Sequence, residues 1–66
     1  MRIEYLIRNI RKSKNMTLRE LSRKTGISKS YLSEIERNEK RPSFDYMILI
    51  AKALSVNLEE VYKEIR

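Results

Sequence analysis

The sequence predicts an all-α fold of five short helices around one core, forming a single domain over residues 1–66. Three observations carry this. Apolar residues recur at three- and four-residue spacing along most of the chain. Residues that cap helices stand where those runs begin. The single Gly and the single Pro fall between runs rather than within them. A chain of 66 residues hides only about 60% of its unfolded surface and is marginal without an efficient core. With 41% hydrophobic residues at helical spacing, a small helical core is within reach.

Residues 1–13 read as helix 1, because Ile3, Leu6, Ile7 and Ile10 form one apolar stripe, with Tyr5 on the opposite, exposed side. Lys14-Asn15 breaks the pattern, and Asn15 tolerates a left-handed turn. Met16 then precedes Thr17 as a hydrophobic staple. Helix 2, about residues 18–24, opens with Thr17 and Glu20, a capping box in which each side chain satisfies the other residue's free N–H. Leu18, Leu21 and then Thr25 follow its apolar side. Ser22 lies on the far side from Leu18, where a small residue suits a close helix contact and its hydroxyl needs a partner. Gly26 stands where a chain leaving a helix needs a left-handed residue.

Helix 3, about residues 29–37, is capped by Ser28 and turns Tyr31, Leu32 and Ile35 inward. Lys29, Ser30, Ser33 and Arg37 face the other way, with Glu34 at the edge, and Asn38 can end the helix. The basic loop NEKRPS follows, in which Pro42 cannot occupy a helix interior and Ser43 can cap the next helix. Helix 4, about residues 44–54, has Phe44, Met47, Ile48, Ala51 and Leu54 on one face and Tyr46 with Ile50 to one side. The methionines and Phe44 read as core filler, and so does the ring of Tyr31. After a turn at Ser55-Val56-Asn57, Asn57 and Glu60 open helix 5, with Leu58, Val61, Tyr62 and Ile65 inward.

Charge is concentrated rather than scattered. The net charge is +6. Residues 11–41 hold ten bases (Arg11, Lys12, Lys14, Arg19, Arg23, Lys24, Lys29, Arg37, Lys40, Arg41) against four acids (Glu20, Glu34, Glu36, Glu39). Outside that segment bases and acids balance. A basic face of this kind marks a polyanionic partner. For any single cation, such as Arg2 or Lys63, a solubilising surface charge is the better reading. There is no Cys and no His, so thiolate sites, disulfides and the commonest general base and metal ligand are absent. No Gly-rich phosphate loop or carboxylate cluster with ligand spacing is present, so the sequence argues against an enzyme and implies no cofactor. No apolar run reaches a membrane span's length and no secretory signal is visible. The expected location is the cytoplasm, without a membrane or small-molecule ligand.

Helix, tight Gly turn, helix is the helix-turn-helix layout, whose second helix enters the DNA major groove. The run ELSRKTGISKSYLSEIERNEKRPSFD, with IAKALSV after it, resembles the lambda-repressor-like family of Cro, C1 and Xre-type transcriptional regulators. Glu20-Leu21, Gly26-Ile27-Ser28, Tyr31-Leu32-Ser33, Ile35-Glu36-Arg37, Pro42-Ser43 and Ala51-x-Ala53-Leu54 all fall in register with it. Ser22 stands where Ala is usual, Leu18 where Gln is frequent, and Asn38 where Gly often follows the recognition helix.

The resemblance implies base contacts at Lys29, Ser30, Ser33 and Glu34. Chemistry is compatible with each: Lys donates to guanine, Ser pairs with several bases, and Glu accepts from the cytosine amine. The bland reading is a solvated helix face with a capping Ser. Phosphate contacts are expected at the N-terminus of helix 2 (Thr17 and the Leu18 backbone), at Ser28, at the Tyr31 hydroxyl, and at Arg37, Lys40, Arg41 and Ser43. The family also pairs the positions of Arg11 and Glu36, which a bidentate Arg–carboxylate contact would lock. The expected function is a sequence-specific regulator of transcription that binds double-stranded DNA, and the resemblance implies a repressor. It is expected to bind a pseudo-palindromic operator as a homodimer, with Tyr46, Ile50, Tyr62 and Ile65 as interface or peripheral-core residues. The alternative is a protein-interaction module on the same fold, such as an antitoxin-like or anti-repressor partner.

Overall fold

The computed structural model describes residues 2–66; Met1, included in the expected helix 1 and among the core methionines, lies outside the described residues. The elements in order are strand β1 (Arg2–Tyr5), helices α1 (Ile7–Ser13), α2 (Leu18–Thr25), α3 (Lys29–Glu36) and α4 (Phe44–Leu54), a 3-10 turn (Leu58–Glu60), and strand β2 (Tyr62–Ile65).

The three central helices lie within a residue or so of their expected bounds because each has a local start and stop. Thr17 Oγ1 accepts from the Glu20 N–H at 3.0 Å, while Glu20 Oε1 accepts from the Thr17 N–H at 3.0 Å, closing the capping box. Ser28 and Ser43 accept from the N–H groups of Tyr31 and Tyr46, both at 3.1 Å. Every helix then closes through a left-handed residue. At Gly26 (φ 77°) a single bond runs back to the Ser22 carbonyl at 2.8 Å. At Asn15, Asn38 and Ser55 (φ 55°, 61° and 58°) both bonds of a Schellman closure form. After α3 these are Asn38 N–H to Ile35 at 3.0 Å and Glu39 N–H to Glu34 at 2.8 Å.

The ends of the chain differ from the expected helices 1 and 5. Residues 2–5 and 62–65 pair as an antiparallel two-stranded sheet in the register Arg2↔Ile65, Ile3↔Glu64, Glu4↔Lys63 and Tyr5↔Tyr62. Among the described residues the fold is therefore four α-helices with a small sheet, and not all-α. Residues 2–5 alternate in polarity as a strand does, so the stripe read as one long helix is a strand running into a seven-residue helix. The Leu6 N–H to Val61 carbonyl bond at 2.8 Å carries the pairing up to α1. Tyr5 accordingly sits half-buried against the core instead of pointing to water.

The core is built by Ile7, Leu21, Leu32, Ile35, Ile50, Leu54 and Val61, all fully buried. One expectation fails here, and one open alternative is decided in favour of the core. Phe44 opens α4 with 67% of its surface exposed, so it is no core filler. Ile50 is wholly enclosed, 0% exposed, and is unavailable to an interface. Phe44 and Asp45 open α4 on its exposed side, whereas Ile50 lies mid-helix, in the buried core. Tyr31 and Tyr46 join α3 to α4 edge to face, ring centroids 5.5 Å apart.

Candidate nucleic-acid interface

The turn between α2 and α3 is fixed by side chains that were read mainly as apolar or small. Thr25, buried, donates its hydroxyl to the Leu21 carbonyl at 2.8 Å and accepts from the Ile27 N–H at 3.1 Å. The Ser22 hydroxyl donates to the Ile27 carbonyl at 2.6 Å, which supplies the partner its position required. Ile27 itself is 3% exposed and pins the turn to the core.

A buried ion pair then sets the far end of α3. Arg11 Nε and Nη2 donate to the two oxygens of Glu36 at 2.8 and 3.1 Å, and Nη1 donates to the Met16 carbonyl at 2.9 Å. Side-chain exposures of 11% and 7% leave little water to compete for these groups. The fork geometry restrains α3 in direction as well as position.

With α3 held in this way, its outer face is open. Leu18 of α2 and Lys29, Ser30, Ser33, Glu34 and Arg37 line one shallow depression on the surface. The structure thus brings all four residues expected at bases together with two of those expected at phosphates. Lys29 and Ser30 are exposed on the first turn; Ser33 and Glu34 are half-buried below them.

The remaining expected residues surround this depression or cap its helices. Thr17 and Glu20 consume each other's N–H groups, leaving the Leu18 and Arg19 amides, first in the helix, with no carbonyl a turn behind them. The Thr17 backbone N–H, then its hydroxyl, hold the Glu20 carboxyl below the usual carboxylate range, with Arg23 and Lys24 adding to the effect. Ser28 and Ser43 are the exposed caps of α3 and α4, and Tyr31 is half-buried between those helices. Lys40 and Arg41 stand exposed in the connecting loop.

Arg37 is not a free cation. Its Nε and Nη2 donate to Glu39 at 2.9 and 3.1 Å, and Nη1 donates to the Ser33 hydroxyl oxygen. The Glu39 carboxylate raises the Arg37 pKa, and the guanidinium lowers that of Glu39. Glu39 was missed from the sequence because an acid in a basic loop carries no local signal of its partner. The sheet adds a second surprise: it sets Arg2 and Tyr5 along a groove shared with Asn38, Lys40 and Arg41. A reading of residues 1–13 as one helix has no means of placing Arg2 beside that loop. Among the described residues there is no cluster of three or more His, Cys, Asp or Glu able to hold a metal ion. No helix among them is long and apolar enough to cross a membrane.

Two helices locked about a Gly turn, the second presenting an open polar face in a basic surround, define a helix-turn-helix domain. A family model described as helix-turn-helix matches residues 7–61, and the chain belongs to that Cro/C1-type family of DNA-binding transcription regulators. It is 41% identical over 56 residues to the HTH-type transcriptional regulator Rv0474 of Mycobacterium tuberculosis, covering 85% of this chain and 40% of that protein. The restriction-modification controller protein C.AhdI of Aeromonas hydrophila superposes with a TM-score of 0.80 at 26% identity, covering 82% of each chain. The N-terminal DNA-binding domain of SinR from Bacillus subtilis superposes with a TM-score of 0.74 at 41% identity, covering 80% of this chain and 78% of that one. The chain spans well under two thirds of the Mycobacterium regulator's length.

Proposed function

We propose that the protein binds double-stranded DNA sequence-specifically, with α3 in the major groove, and acts as a transcriptional repressor on a pseudo-palindromic operator. The observation that carries this is the open depression in which Lys29, Ser30, Ser33 and Glu34 converge on one face of α3. A major groove admits one α-helix, and residues near its N-terminus reach the base edges. Phosphates are held by the Leu18 amide at the start of α2, by Ser28 and the Tyr31 hydroxyl, and by Lys40, Arg41 and Ser43 around the α3–α4 loop.

One copy offers few contacts, so two copies bind half-sites about one helical turn apart. With Ile50 enclosed and Tyr46 engaged by Tyr31, the apolar surface left for the second copy includes the half-buried Tyr62 and Ile65 of β2 and the exposed Phe44 and Leu49 of α4. Selection of bound duplexes from a random pool tests the proposal. The expected result is a consensus of two inverted half-sites. Recovery of the pool unchanged, with equal affinity for selected and bulk DNA, rules it out.

A further inference from the structure

We propose that Glu39 is a positioning residue: acting through Arg37, it fixes the Ser33 hydroxyl as a donor, so that the base facing Ser33 must offer an acceptor. The proposal rests on the reading of α3 as the recognition helix.

The backbone prepares the contact. Asn38 in the left-handed region turns the chain back over the end of α3, and the Glu39 N–H is anchored on the Glu34 carbonyl at 2.8 Å. From there the Glu39 carboxylate takes two of the guanidinium's donors, at 2.9 and 3.1 Å. The Arg37 fork is planar and rigid, so fixing one side aims the other. Its remaining nitrogen, Nη1, donates to Ser33 Oγ.

That bond decides what Ser33 can say to a base. A free Ser hydroxyl donates or accepts and so pairs with several bases. Here the oxygen accepts from a cation, and the hydroxyl proton must point elsewhere. Hydroxyls on a helix commonly spend that proton on a carbonyl of the preceding turn. Ser13 and Thr25 do so, donating to Ile10 at 2.7 Å and to Leu21 at 2.8 Å. Ser33 makes no such bond, and its proton is left for the depression it lines with Lys29 and Ser30. Guanine, adenine and thymine present acceptors in the major groove, whereas cytosine presents only its amine. The carboxylate also cancels the Arg37 charge, which removes Arg37 from the set of free phosphate clamps. The pKa directions of Arg37 and Glu39 agree with a standing pair.

The test is duplex selection and salt-dependent binding for the unaltered chain and for Ser33→Ala, Glu39→Ala and Arg37→Lys. Ser33→Ala identifies the facing position as the one whose preference flattens. The unaltered chain is expected to disfavour cytosine there by about threefold to tenfold, the worth of one neutral hydrogen bond. Glu39→Ala loses that preference at this position alone. It also steepens the slope of log affinity against log salt by about 0.9, because the released Arg37 gains a phosphate. Arg37→Lys, which keeps the charge but not the fork, loses the preference too. Unchanged helical circular dichroism separates these effects from misfolding. A selected consensus in which Glu39→Ala discriminates against cytosine as strongly as the unaltered chain overturns this inference and leaves the functional proposal standing. So does a consensus in which the unaltered chain accepts cytosine at that position. No consensus for the unaltered chain overturns both.

Discussion

Arg11 and Glu36 lie 25 residues apart in sequence and meet through two bonds in a nearly dry site. Removing either partner leaves the other's charge buried and unpaired, which costs about 3–5 kcal/mol. Arg11→Ala and Glu36→Ala are each expected to lose that much stability in urea unfolding, and the double variant far less than their sum. Additive losses in the double-mutant cycle would show that the two do not act together. Glu20 acts in the open, and its contribution depends on pH. Its folded pKa is depressed by the Thr17 N–H and hydroxyl. The stabilisation is therefore present above the ordinary carboxylate range and is lost as pH falls through the depressed value. Melting temperatures of Glu20→Gln and the unaltered chain should differ near neutrality and converge in strong acid. A gap that stays constant across that range would remove the capping carboxylate from the account.

Among the elements, the left-handed helix ends are where conformation rather than contact sets the cost of change. A Cβ at Gly26 would meet nothing within 4 Å, yet φ is 77°. Gly26→Ala is expected to destabilise by about 1–2 kcal/mol through the backbone alone, read from the midpoint of chemical unfolding. No shift in that midpoint would mean the turn relaxes to another conformation. At α4 the reverse applies: the pattern marks Phe44 as core, but the side chain is 67% exposed. Phe44→Ala should cost well under the roughly 3–5 kcal/mol of a buried Phe, and a full-sized loss in thermal unfolding would contradict its placement. The bounds of α4 and the two caps of α2 and α3 were legible because their signals lie within four residues. The strands were not, because each is only four residues long and its apolar residues also fit a helix stripe until the partner at the other end of the chain is known.

Across the whole molecule, the basic excess of residues 11–41 separates into cations already partnered and cations still exposed. Glu36 neutralises Arg11 and Glu39 neutralises Arg37, while Lys29, Lys40 and Arg41 stand in the open around the α3 face. Lys40→Ala and Arg41→Ala should each flatten the salt dependence of DNA binding by about 0.9 in slope, weakening selected and bulk DNA alike. Titrations over a salt series check this, and a variant that altered only the base preference would place its side chain in the groove instead of on the backbone.

What the sequence alone determined is whatever neighbours within a turn or two can specify: the three central helices, their caps, the left-handed exits at Gly26 and Asn38 and the set of polar residues on the outer side of α3. What only the tertiary structure decided is whatever needs a partner far along the chain or around a turn. The pairing of the two ends as a sheet, the enclosure of Ile50, the escape of Phe44 and the capture of Arg37 by Glu39 all belong there. The reason is physical: caps and periodicity act through the next few backbone groups, whereas strand pairing, burial and ion-pair choice depend on which surfaces the completed core brings within a few ångströms.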